Sequence, residues 1–160
     1  MVDMDSRFEQ DRSSDSDLPQ PQWTEEIGLQ TVDPDGRVQP VTIYVGQPSA
    51  AVVALLDGGS LTEISGTDYL DCLSQARRQL ERDGRLLCCQ GARPDVHPSG
   101  QLRQFTNGRQ AYVRFPDARG EVRATVDILD PASPEDVVSL DDQRAAVIRA
   151  WNAQHPGSQI

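Results

Sequence analysis

Apolar residues are scarce up to about residue 21 and then fall into strand-like and helix-like runs. From Ile27 the chain reads as strands: Ile27 to Val32 and Val38 to Val45 form a hairpin over Asp33-Pro34-Asp35-Gly36, where Asp-Gly after Pro is a turn signal. Pro40 cannot donate to a ladder, which predicts an edge position for the second strand. Ala50 to Leu56 fits either a short helix opened by Ser49 or a buried strand, and Gly58-Gly59 ends it. A helix is predicted from Asp68 to Asp83. Thr67 is its N-cap and Gly84 its stop, and Leu70, Leu73, Ala76 (or Arg77 beside it) and Leu80 lie on one stripe.

Leu86 to Cys89 reads as a core strand, followed by a long irregular loop from Gln90 to Gln104. Asn107-Gly108 marks a turn. Ala111 to Phe115 and Val122 to Ile128 are the arms of a second hairpin over Pro116 to Gly120. Ala111, Val113 and Phe115 share one face of the first arm; Val122, Ala124, Val126 and Ile128 share one face of the second. Ser133-Pro134-Glu135-Asp136 resembles a helix start, and a longer helix runs from Leu140 to Gln154 after Ser139, stopped by Pro156-Gly157. Its buried stripe is expected from Leu140, the stem of Arg144, Val147, Ile148 and Trp151. The prediction is an α+β domain over residues 22–160, with an antiparallel or mixed sheet of about five strands packed against two main helices. Residues 1–21 are expected to be a disordered acidic tail, because they carry too little apolar surface to offset ordering entropy.

Composition narrows the function. The 160-residue chain has 37% hydrophobic residues and a formal charge of −10, with arginine as its only strong base. Net negative charge opposes encounter with nucleic acid or an anionic membrane and suits a basic protein partner, whose approach it accelerates. The longest apolar run, Ala50 to Leu56, falls well short of the roughly twenty residues that span a bilayer. Cys72, Cys88 and Cys89, with an N-terminus lacking a basic and an apolar signal region, point to reduced thiols in a cytoplasm. Composition leaves the oligomeric state open.

Arg93-Pro94-Asp95-Val96-His97-Pro98-Ser99-Gly100 places an acid, an imidazole and a hydroxyl close together. A serine triad needs the acid to orient the base and the base to deprotonate the serine. No strand–turn–helix elbow surrounds Ser99, so the stretch reads first as a turn shaped by Pro94, Pro98 and Gly100, with Asp95 and Ser99 bonding nearby backbone. Cys88 and Cys89 would point to opposite faces of a strand, which disfavours a shared zinc with His97. No metal and no cofactor is expected. His155 closes the last helix, where a cation suits the dipole. Arg93, Arg103, Arg109, Arg114, Arg119 and Arg123 outnumber Asp95, Asp117 and Glu121, a local positive excess in an acidic chain. Tyr112, Arg114 and Arg123 would share the exposed face of the second hairpin. The candidate partner-binding residues are therefore Arg93, Asp95, His97, Arg103, Arg109, Tyr112, Arg114 and Arg123, with Trp23 or Trp151 as further anchors. The alternatives are an anionic small-molecule site on the Arg93–Arg109 loop, and an RNA-binding module on the Arg/Tyr face.

The segments GARPDVHPSGQLRQFTNGRQAYVRF and DILDPASPEDVVSLDDQRAAVIRAW resemble a group of small bacterial proteins with an N-G-A-R-x-D-V-x-P-S-G loop, an A-Y strand and a closing helix. Gly91, Ala92, Arg93, Asp95, Val96, Pro98, Ser99, Gly100, Ala111 and Tyr112 match, whereas Gln90 replaces the first Asn. The likeness covers roughly residues 68–152. It implies a compact binding domain without a cofactor, of the kind found as immunity or accessory proteins of toxin systems, and implies no catalytic residue. The expected function is thus a non-enzymatic inhibitor of a basic toxin domain.

Overall fold

A computed structural model describes residues 23–47, 51–113 and 124–157. The acidic segment 1–21, Arg114, Arg119, Arg123 and the Pro116–Gly120 connection lie outside the described residues. The fold is α+β, with one five-stranded antiparallel sheet and one three-stranded antiparallel sheet.

The first sheet begins with β1 (Trp23–Val32) and β2 (Val38–Gly46). Their turn is closed by Asp33, whose Oδ1 accepts from the Asp35 and Arg37 amides at 2.9 and 2.8 Å, while Gly36 takes φ +83°. β3 (Val52–Asp57) and β4 (Ser60–Ser65) follow as a second tight hairpin. The ambiguous segment from residue 50 to 56 is therefore largely strand. Gly58 and Gly59 connect two strands instead of merely ending one: at φ +58° and +86° they form the two-residue turn that matches strand twist, and β4 is an element the hydrophobic pattern had not revealed. The sheet order is β4-β3-β2-β1-β5, so β2 lies inside the sheet and the edge expected from Pro40 is corrected. Proline is tolerated because β3 registers only with Thr42–Val45, leaving residues 38–41 unpaired on that side.

α1 (Tyr69–Arg82) crosses one face of this sheet and buries Tyr69, Cys72, Leu73, Ala76, Arg77 and Leu80. Its N-cap is Asp68, one residue later than expected, because the Asp68 carboxylate accepts from the Asp71 amide at 2.8 Å. Gly84, at φ +75°, ends it as predicted. β5 (Leu86–Cys88) then adds to β1. Leu29, Ile43, Leu55, Leu73, Leu80 and Leu87 form the centre of one continuous core, each contributing roughly 1.5–3 kcal/mol on burial.

The segment expected to be an irregular loop is largely structured. A 3-10 turn (Gln90–Ala92), β6 (Val96–His97) and α2 (Gly100–Phe105) occupy it. Turn residues 107 and 108 take φ 54° and 78° and lead into β7 (Gln110–Val113), which pairs with β6 and with β8 (Thr125–Asp127). A 3-10 turn at Pro134–Asp136 precedes α3 (Leu140–Gln154), capped by Ser139 as the sequence predicts. The predicted stripe of α3 is only half-buried, and Arg144 is exposed, so this helix lies on the surface. Among the described residues no helix is long and apolar enough to cross a membrane.

Candidate functional site

The loop arginines are tied down by neighbouring acids. Arg93 holds Asp95 through two parallel bonds, Nε to Oδ1 at 2.9 Å and Nη2 to Oδ2, and gives Nη1 to Gln90 Oε1 at 2.7 Å. Arg103 forks onto the Asp68 carboxylate. Arg109 binds Glu25 with both terminal nitrogens at 2.7 Å and Asp127 with Nε at 2.9 Å, while its guanidinium carbon stands 5.6 Å from the centre of the Tyr69 ring. Bidentate guanidinium–carboxylate pairs of this kind fix orientation. The Arg93 pair braces its own loop, whereas Arg103 fastens α2 to the start of α1, and Arg109 fastens the second sheet to β1.

The hydrogen bonds from Arg109 hold the Glu25 carboxyl below its ordinary value. At Asp68, burial raises the pKa, but bonds from Arg103 and from backbone amides outweigh it and leave the group below its usual range. Ser99 caps α2, its Oγ accepting from Leu102 N at 3.1 Å, so the hydroxyl at the end of the acid–imidazole–hydroxyl run is structural. His97 is buried in β6 beside Tyr112, its register partner on β7. Tyr112 is half-buried and lines a cavity with Val147, Ala150 and Trp151 of α3. Trp151 stacks on His155 at 4.1 Å. The described candidate residues thus belong to two neighbourhoods, the ion-paired seams at Arg103 and Arg109 and, beneath α3, the His97–Tyr112 floor with the Arg93–Asp95 pair beside it. Arg114 and Arg123 lie outside the described residues.

All three cysteines are free and buried. Burial pushes the Cys72 thiol up to about 11 and Cys89 to about 12, which keeps both protonated and poorly nucleophilic at neutral pH. Among the described residues no group of three or more His, Cys, Asp or Glu is placed to hold a metal ion.

Two features emerge only from the tertiary structure. The first is the face of the large sheet opposite α1. Strand register puts Glu26, Tyr44, Ala54 and Glu63 in one cross-strand row and Gly28, Thr42, Leu56 and Leu61 in the next. Leu61 is 60% exposed, Tyr44 and Leu56 are half-buried, and Trp23 lies 6.2 Å from the Tyr44 ring. A hydrogen bond with Glu26 raises the Tyr44 phenol above its ordinary value. Aromatic and aliphatic groups are thus flanked by carboxylates. Ile27–Val45 had signalled strands, but without β4 the outward row could not be assembled.

The second feature is a cleft of about 560 Å³ between α1, the 91–98 segment and α3. Its floor is held by Arg77, which donates to Gly91 O at 3.2 Å, Val138 O at 2.9 Å and Gln143 Oε1. Gln143 completes the knot, donating to Gly91 O at 2.7 Å and Arg93 O at 2.9 Å. Comparison with models of known protein families, and with curated proteins, gave no match.

Proposed function

We propose that the chain is a non-enzymatic protein-binding domain, an immunity-type inhibitor that covers a basic partner such as a toxin domain in the cytoplasm. The observation that carries this reading is the sheet face opposite α1, where Tyr44 and the buried Ala54 stand between Glu26 and Glu63, and half-buried Leu56 and exposed Leu61 lie in the next row. An aromatic anchor ringed by weaker contacts is how binding energy concentrates at protein interfaces. Carboxylates around it, in a chain of charge −10, steer a basic surface toward it. The bacterial resemblance of the 90–100 loop supports the immunity assignment. The internal use of Asp95 and Ser99 favours binding over catalysis, since neither is available to a nucleophilic triad. The paired state of Arg93, Arg103 and Arg109 likewise disfavours an anion site on that loop.

The test is retention of a partner from a lysate of the source cell by the full chain and by variants of the face. One stoichiometric basic protein is expected on the wild-type chain. Tyr44→Ala should weaken its binding at least about tenfold, as loss of an interface anchor does. Glu63→Arg, at an exposed position, should slow association most at low salt. Undiminished retention by Tyr44→Ala with Leu61→Asp would overturn the assignment. Loss on Tyr112→Ala alone would move the interface to the second sheet.

A further inference from the structure

The cleft beneath α3 has the construction of a ligand site distinct from the open sheet face. It lies on the far side of α1: Leu73, Ala76 and Leu80 are buried in the core, whereas Leu70, Ser74, Arg77, Arg78 and Glu81 line the cleft. Its volume of about 560 Å³ falls in the range typical of small-molecule sites. Half-buried Leu70 and Val147 supply apolar wall, backed by Val96 and Ile128, each 1% exposed.

Charge is placed at two levels. Arg78 on α1 and Arg144 on α3 line opposite walls, both exposed, and among the described residues neither has an ion-pair partner. They differ in this from Arg93, Arg103 and Arg109. Deeper down, Arg77 is 2% exposed, and its Nε lies 3.7 Å from Glu81 Oε2. Both atoms are buried, and neither makes a hydrogen bond with a described residue. The acids lining the cleft are Glu81 and Asp141. Glu81 Oε1 is committed to the Leu140 amide at 3.0 Å, and Asp141 sits in the first turn of α3, where the helix dipole favours it. Arg78 and Arg144 outnumber Asp141 at the mouth and leave it a positive excess.

We infer that this cleft binds a small anion with an apolar body, a carboxylate or phosphate carried on an aliphatic or aromatic group. Arg78 and Arg144 clamp the charged end at the mouth, and the body lies on Leu70, Val96, Ile128 and Val147. Guanidinium pairs suit both head groups, because their planar donors match carboxylate and phosphate oxygens. The site is independent of the sheet face, so either assignment can fail without the other.

The probe is anilinonaphthalene sulfonate, an aromatic anion whose fluorescence rises in apolar surroundings, titrated into the full chain beside neutral phenylnaphthylamine. Saturable one-to-one binding is expected. Arg78→Gln with Arg144→Gln, both at exposed positions, should weaken the anionic probe about tenfold and leave the neutral one unchanged. Octanoate and phenyl phosphate should displace it, whereas inorganic phosphate at the same concentration should not. Equal binding of the anionic probe to wild type and the double variant overturns the assignment. Displacement by inorganic phosphate as effective as by phenyl phosphate also overturns it, since the apolar wall would then contribute nothing. Loss of binding on Leu61→Asp would place the probe on the sheet face, and the cleft assignment would fall.

Discussion

Arg77 is the most buried charged residue among those described. It is 2% exposed, ion-paired to Glu81, and bonded to two carbonyls and the Gln143 amide oxygen. Burial pushes its guanidinium below the ordinary value, without approaching deprotonation at any ordinary pH. Arg77→Ala should therefore cost about 3 kcal/mol in urea unfolding, because removing one partner of a buried pair strands the other. Arg77→Met, which keeps part of the aliphatic stem, should cost less; equal costs would mean that packing around the stem contributes nothing. In sequence Arg77 was only an alternative to Ala76 on the helix stripe. Periodicity placed it on the buried side, but its partners come from Gly91, Val138 and Gln143, positions far along the chain that no local pattern connects. Gly91 shows the same dependence on remote contacts: an added Cβ would stand 2.6 Å from Leu73 Cδ2 and 3.0 Å from Ile128 Cβ.

At the scale of elements, α3 contrasts with the first sheet. β2 and β3 bury Ile43, Val45, Val53 and Leu55 almost completely, whereas α3 has no fully buried side chain among those described. Ser139 caps its first turn locally, and its attachment rests on the Glu81 bond to Leu140 N and the Gln143–Arg77 knot. Hydrogen exchange should therefore show α3 opening locally, well before the amides of β2 and β3, whose exchange follows global unfolding. Ser139→Ala should accelerate α3 exchange by roughly fivefold, as expected for about 1 kcal/mol of lost capping, and leave β2 unchanged. Uniform exchange across both elements would contradict this. The boundaries of α3 were legible because cap and stop residues act within one turn. β4 was not, because Ser60–Ser65 alternates weakly and becomes a strand only by pairing with β3.

Across the whole molecule, acid should be the vulnerability. Glu25 and Asp68, each bound to an arginine, connect β1 to the second sheet and the start of α1 to α2, and both have folded-state pKa values below their ordinary ones. A depressed carboxylate contributes stability that is complete above the unfolded-state pKa and is lost as pH falls through the folded one. The urea midpoint should thus hold from pH 7 to about 5 and fall below pH 4. Asp68→Asn should lower the midpoint at pH 7 and flatten the acid limb. An unchanged limb would show that this seam does not govern acid sensitivity. The chain's own pattern determined the α+β class, the first hairpin, α1, α3 and their stops, since these follow from periodicities and turn chemistry acting over a few residues. Tertiary structure decided that Arg93, Arg103 and Arg109 are consumed by ion pairs and that Ser99 caps a helix. It also decided that Tyr44, Leu56 and Leu61 share a face and that Arg78 and Arg144 line one cleft. A side chain's partners depend on which distant segments the sheet register and helix packing bring beside it, and that information is not carried by local spacing.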